Sequence, residues 1–360
     1  MMRSVPCLLM RGGTSRGPFF LSCDLPSDAL ARDRVLLSIM GSPDARQIDG
    51  LGGANPLTSK VGIVSISSAP GIDLDFLFAQ VSIDEPRVDT TPNCGNMLAA
   101  VVPFALETGL VTARDDLTTL RVRTINTGTV ADITVQTPNQ RVSYAGDARI
   151  DGVPGSGSPV MITFLHTAGS VCGSLLPTGN AIDVFDEIET TCIDNGMPVV
   201  AMLAADLGIS GYESSAELNE SAALRRRIES IRIQAGRAMG LGDVSARVVP
   251  KVSLVAAPQK DGTLCSRTFI PHQCHSSIGV LGAVTLATAA AIRGTTVASI
   301  VNLANRRHIS IEHPSGEFSI ELNYGNGNSD VPQSASLLRT ARLIMRGEVM
   351  VPDTLFSGSK

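Results

Sequence analysis

Two cysteines stand ahead of apolar segments at matching places in this chain. Residues 92–97 read PNCGNM before Leu98–Leu110, and residues 271–279 read PHQCHSSIG before Val280–Ile292. Upstream of each lies a glycine-containing turn, Met10-Arg11-Gly12-Gly13-Thr14-Ser15 and Asp194-Asn195-Gly196-Met197-Pro198. Gly13 precedes Cys94 by 81 residues and Gly196 precedes Cys274 by 78. The agreement reads as an internal two-fold repeat in which each copy offers a thiol and a helix N-terminus. Such an arrangement suits proton transfer in a cleft between two domains.

The individual residues carry this further. Asn93-Cys94-Gly95-Asn96 places a thiol at an expected helix start, where the dipole and unpaired N–H groups favour a thiolate. Gly95 permits close backbone approach, so those amides could also hold a carboxylate. The competing reading of Cys94 is a small buried hydrophobe, which describes most free cysteines. Lys60 follows the polar loop GGANPLTS and precedes the apolar run Val61–Ser67. A lysine entering a buried strand loses solvation and moves toward the pKa of a useful base. An ordinary strand-entry lysine facing water is the alternative. Arg11–Gly17 (RGGTSRG) lacks the spacing and ending of a phosphate loop but offers hydroxyls and amides to a carboxylate; a plain glycine turn is the other reading. Cys274 and His275 are neighbours, yet adjacent helical side chains diverge, so Ser276 and Ser277 with their amides read better as an anion site. His313-Pro314-Ser315-Gly316 reads as a turn, and His166, His272 and His308 have no distinguishing context.

Composition bounds the partners. The chain has 360 residues, 43% hydrophobic and 18% charged, enough for two domains with sizeable cores. Net charge is −5 and no Lys/Arg run exceeds Arg225–Arg227, which argues against nucleic acid but leaves room for a small anion. The seven cysteines are scattered without a CxxC pair, so neither zinc nor a disulfide framework is signalled and a reduced cytoplasmic setting is expected. The longest mostly apolar run, Ile278–Ile292, is too short for a membrane span and reads as a helix buried on all sides. No Ser-His-Asp order, paired-carboxylate motif or HExxH element is present.

The positioning elements are short β-type runs: Val61–Ser67, Phe76–Ile83, Leu120–Ile125, Val130–Gln136, Val160–Phe164, Val252–Ala256, His308–Ile311 and Phe318–Leu322. Helical periodicity is expected at Leu30–Met40, Leu98–Leu110, Ala222–Met239, Ile278–Ile292 and Ser334–Arg346. Gly146–Ser158 and Tyr324–Pro332 read as loops. The expected fold class is α/β (α+β), two similar domains with a curved sheet around one buried helix. The boundary is expected near 180–190: residues 1–185, then 186–345, then a tail at 346–360.

RGGTSRG, RQIDGLGGANPLTSK, TPNCGNM, LLPTGN, IDNGMP, HSSIGVLGAV and HPSG occur in an order that resembles the PrpF-type isomerases of the diaminopimelate epimerase-like fold. The resemblance runs from about residue 5 to residue 350, and CHSSIGVLGAV is most similar to the 4-oxalomesaconate tautomerase branch, active in bacterial breakdown of aromatics. Other branches act on 2-methylaconitate, aconitate or methylitaconate. The resemblance implies two epimerase-type domains with substrate between two central helices. It implies Lys60 as catalytic lysine and Cys94 as an active-site thiol. Thr14, Ser15, Gly95, Asn96, Ser276, Ser277, Ile278, His313, Ser315 and Gly316 match segments that bind substrate. Cys274 takes no catalytic role, because its local spacing differs from the amino-acid epimerases. The implied reaction is a 1,3-proton shift in an unsaturated polycarboxylic keto acid. Lys60 would be the base, amides around Gly95 and Ser277 the oxyanion donors, and Cys94 or protonated Lys60 the returning acid. No metal, flavin or pyridoxal phosphate is called for, and the expected partners are a small di- or tricarboxylate and a second copy in a homodimer. A two-cysteine amino-acid racemase and a non-catalytic organic-acid binder are the competing functions. The racemase would need a carboxylate for an ammonium group, and only Asp49 and Asp194 are offered.

Overall fold

Strands dominate because β-branched and aromatic residues recur in short runs broken by glycine turns. The computed structural model describes residues 1–301, 307–324 and 332–356. The chain divides into two compact units: 1–163 with 338–360, and 164–337. The sequence-based division near 180–190, with a separate tail at 346–360, differs from this: the last residues belong with the first.

Unit 1 contains β1 (Met2–Gly12), β2 (Ser15–Leu21), α1 (Ala29–Met40), β3 (Lys60–Ile66), β4 (Leu74–Val81), β5 (Val88–Asp89), α2 (Gly95–Leu98), α3 (Val101–Glu107), β6 (Asp116–Thr124), β7 (Val130–Thr137) and most of β8 (Pro159–Leu165). Unit 2 contains β9 (Asp183–Phe185), β10 (Ile188–Asp194), β11 (Pro198–Leu203), α4 (Ser215–Glu220), α5 (Ala222–Ala238), β12 (Lys251–Ala256), β13 (Leu264–Phe269), α6 (Val280–Ala291), β14 (His308–His313) and β15 (Gly316–Asn323). A long last strand, β16 (Ser334–Pro352), begins in unit 2, where it pairs with β15, and ends in unit 1, where it pairs with β1.

In unit 1 the strand order is β1-β2-β3-β4-β6-β7-β8-β16, and because β16 also pairs with β1 the sheet closes into a ring. Closure removes the unpaired edges that would otherwise seek other chains. Phe104 of α3 lies 5.7 Å from Phe19 of β2, which in turn stacks 6.4 Å from Phe76 of β4, so a helix fills the ring. Residues alternate faces along each strand. Val61 and Ile63 of β3 accordingly join the core under α1, and Lys60 and Gly62 take the other face. Asp28 caps α1 by accepting the Ala31 amide at 2.8 Å, and Gly41 ends it in the left-handed region.

The pairing sequence repeats. In unit 1 the pairs β1/β2, β2/β3, β3/β4, β4/β6 and β6/β7 run antiparallel, parallel, antiparallel, parallel, antiparallel. In unit 2 the pairs β10/β11, β11/β12, β12/β13, β13/β14 and β14/β15 follow the same order. Each parallel step is bridged by helical segments: α1 and then α2/α3 in unit 1, α4/α5 and then α6 in unit 2. Residues Gly282–Ala291 of α6 are all buried, as expected of a helix apolar on every side.

Two expected helices differ. Ser334–Arg346 is not helical but part of β16. Its first half is buried on both faces and shows no alternation, and its chance i, i+3, i+4 matches are overridden by pairing with β15 and β1. Leu98–Leu110 is present as α2 and α3, which starts earlier and breaks at Ala99–Ala100. Pro103 explains the break, since it has no N–H for the carbonyl of Ala99 and its ring crowds that turn. The expected loop at Gly146–Ser158 is irregular apart from one Ala148/Gly157 bridge; the second, Tyr324–Pro332, falls mostly outside the described residues.

Candidate active site

The β1–β2 hairpin turns at Gly13-Thr14, and three of its glycines let it press against its neighbours. Gly13 has φ +50°, and a Cβ there would run into the Asn96 side chain. A Cβ on Gly12 would meet the Asn96 carbonyl, and one on Gly17 the carbonyl of Lys60. The hairpin thus touches both segments that carry candidate chemistry in unit 1, the start of β3 and the start of α2. Its turn is pinned from β16: Gly13 N–H donates to the Thr340 carbonyl at 2.9 Å, and Arg11 Nη1 donates to the carbonyls of Gly13 and Thr340 at 2.8 and 3.0 Å.

Lys60 is half-buried as the first residue of β3. Its Nζ donates to Gln80 Oε1 at 2.8 Å and sits 5.0 Å from the Phe78 ring centroid. Gln80 is held in turn by donating to the carbonyls of Ser59 and Pro56 at 2.8 and 3.1 Å. The amine is therefore aimed by a cross-strand glutamine that sequence reading did not single out. Strand register is the signal, because Lys60 and Gln80 are directly paired.

Cys94 is half-buried in extended backbone at the position before α2. Since α2 is a single turn, the aligned dipole at this thiol is smaller than the sequence suggested, and the first-turn amides of Gly95 and Asn96 are the local donors. Asn96 Nδ2 donates to Thr14 Oγ1 at 2.9 Å, and Arg339 Nε donates to Asn96 Oδ1 at 3.2 Å. Burial pulls the Arg339 guanidinium down to about 10, partly offset by its attraction to Cys94. Arg339 was missed because its segment read as helix rather than as the strand beside β1. Ser15 is buried, and its hydroxyl has no hydrogen-bond partner among the described residues. A buried, unsatisfied hydroxyl costs stability and is a natural place for a ligand oxygen.

In unit 2 the expected serine and histidine residues do come together. Ser277 Oγ lies 3.3 Å from His313 Nε2, and both the amide and the hydroxyl of Ser315 lie 3.3 Å from His313 Nδ1. His313 and Gly316 face each other across the turn at Pro314-Ser315, as the sequence implied. The Ser277 amide donates to His275 Nδ1 at 2.8 Å, so its hydroxyl, not its N–H, is the group on offer. Ser276 is exposed and Ile278 buried. Cys274 does not open a helix, because α6 begins after Gly279. It packs with Phe269 and α5 residues, burial raises its thiol pKa, and its amide donates to Asn219 Oδ1 at 2.7 Å, a structural set of contacts. Asp194 is structural too, accepting the amides of Val171 and Cys172 at 2.7 and 2.8 Å.

The family description "PrpF protein" matches residues 2–352. The chain is 52% identical to a 4-oxalomesaconate tautomerase of Pseudomonas putida, covering 98% of each sequence. It is 54% identical to a (4E)-oxalomesaconate Delta-isomerase of a Novosphingobium species, covering 97% of this chain and 98% of that one. Among solved structures, a methylitaconate-delta-isomerase superposes with a TM-score of 0.90 at 34% identity, covering 99% of this chain and 98% of the other.

Proposed function

Since the chain belongs to the PrpF family, on the diaminopimelate epimerase-like fold, we propose that it is an isomerase moving a proton across the allylic system of 4-oxalomesaconate. The observation that carries the substrate is the similarity above half identity, over nearly the whole chain, to two proteins named for oxalomesaconate. Isomerisation of 3-methylitaconate and 2-methylaconitate belongs to relatives at 35% and 36% identity and is less favoured, as is that of aconitate.

Lys60, as the free amine, takes the proton from the carbon conjugated to the carbonyl. Gln80 fixes its direction. Charge develops on the dienolate oxygen, and the first-turn amides at Gly95 and Asn96 stabilise it. Removing one good donor from such a site typically costs about 100- to 1000-fold in rate. Cys94 returns the proton at the far end of the allylic unit, with the Arg339 guanidinium within electrostatic reach of it. Thr14 and Ser15, with Asn96, receive a substrate carboxylate or hydroxyl. From unit 2 the hydroxyls of Ser276, Ser277 and Ser315 and the His313 ring are assigned to substrate carboxylates, with Ile278 and Gly316 shaping their surroundings. A two-thiol racemase is not favoured, because Cys274 is buried among apolar side chains. Seven free cysteines fit a reduced, cytoplasmic setting.

The test is a substrate panel. Isomerisation of 4-oxalomesaconate with kcat/KM at least about 100-fold above that for aconitate and 2-methylaconitate supports the reading. Turnover of either competitor without 4-oxalomesaconate rejects this substrate.

A further inference from the structure

The two-fold repeat of strand pairings gives Lys60 a counterpart in unit 2, a second lysine that sequence reading passed over. Lys251 opens β12 as Lys60 opens β3, and each strand runs parallel to the second strand of a glycine-turn hairpin. The burial patterns match: a half-buried lysine, then four buried residues. The faces match as well. Val252 and Leu254 join the core under α5, as Val61 and Ile63 join the core under α1, so each lysine lies on the face away from that helix.

Their partners differ. Lys60 has Gln80 across the strand pair. Val252 pairs with Phe269, so the position opposite Lys251 falls at Ile270, which offers nothing polar. Lys251 has no hydrogen-bond or ion-pair partner among the described residues. Burial, with the Arg232 guanidinium, lowers its pKa to about 8, which still leaves it mostly charged at neutral pH. Its charge also reaches His275, whose Nδ1 accepts the Ser277 amide, and Ser277 in turn meets His313. A half-buried ammonium with no counter-charge is expensive to keep. It lies within electrostatic reach of His275, the residue whose ring holds the Ser277 amide.

We propose that Lys251 is a substrate-binding residue whose ammonium holds one carboxylate of the unsaturated polycarboxylate, the second unit's counterpart of Lys60 serving as ligand instead of base. This rests on the proposed function for the substrate's identity, but the carboxylate chemistry is testable without turnover. Tricarballylate, a saturated tricarboxylate with no allylic proton to move, is titrated calorimetrically into wild type, Lys251→Met, Lys251→Gln and Lys251→Arg. Steady-state kinetics with 4-oxalomesaconate run in parallel. The expected result is a Kd and a KM raised about 10- to 100-fold in the Met and Gln variants, with kcat changed only a few-fold and most of the affinity recovered in Lys251→Arg. Unchanged Kd and KM in a folded Met or Gln variant overturns the assignment. So does wild type that fails to bind tricarballylate, or a loss confined to kcat, which would make Lys251 a proton carrier. Lys251-dependent tricarballylate binding without turnover of 4-oxalomesaconate would leave the carboxylate site standing and remove only the substrate.

Discussion

Asn96 ties three parts of unit 1 together: its own helix, the Thr14 hydroxyl on the β1–β2 turn, and Arg339 on β16. Replacing it with Ala should lower kcat/KM about 100-fold while moving Tm only modestly, because the bond to Thr14 joins two half-buried groups and the bond to the buried Arg339 is a long one at 3.2 Å. A Tm loss that accounts for the inactivity would show Asn96 to be only structural. Lys251 makes the opposite kind of prediction, a residue that costs stability. Its folded-state pKa is depressed from 10.5 to about 8, so below pH 8 the folded protein carries the whole cost of holding the charge. Between pH 8 and 10.5 the folded state releases its proton first and the cost fades. Lys251→Met should therefore be more stable than wild type at pH 7 by about 1 kcal/mol, allowing for its partial exposure, with the gain shrinking as pH rises through that window. Urea melts at pH 7 and 10 measure it. Cys94, Lys60, Thr14 and His313 stand out in the sequence as candidates because each lies in a polar, glycine-rich or turn context, although for Lys60 and His313 only the family resemblance lifts them above an ordinary reading. Arg339, Gln80 and Lys251 were not, because their meaning depends on which strand lies beside them.

At the scale of elements, the hairpin β1–β2 positions the site by having no side chain at Gly17, whose Cβ would fall on the Lys60 carbonyl. Since that obstacle is backbone, Gly17→Ala must push β2 from β3, and kcat should fall at least about 10-fold together with a drop in Tm. Normal kinetics in that variant would mean that β3 can shift without moving Lys60. The strands with even alternation or a bounded apolar run, such as β7 and β12, were legible from the sequence. β16 was not, because a strand buried on both faces in its first half lacks the period that identifies strands. The split between α2 and α3 was written in Pro103 but hidden by the apolar run around it.

Across the whole molecule the repeat was readable from two spacings, and the identical order of strand pairings in the two units gives it a physical basis. What the spacings could not give was the path of the chain, since the last strand returns to the first. A chain ending at Leu337 should lack the β1 partner that closes unit 1 and fail to fold cooperatively, whereas the full chain should melt in one cooperative transition. Circular dichroism during heating separates these outcomes. A boundary near 180–190 follows from comparable halves with one cysteine motif in each, whereas the chain crosses between units within strands β8 and β16.

The most direct test of the central claim is proton NMR of wild type and Lys60→Met in D2O with 4-oxalomesaconate. Wild type should wash deuterium into the allylic positions during isomerisation, and Lys60→Met, with an unchanged circular dichroism spectrum, should slow that exchange by about 1000-fold or more. Exchange at the wild-type rate in Lys60→Met would contradict the account and move the base elsewhere, with Cys94 the first residue to examine.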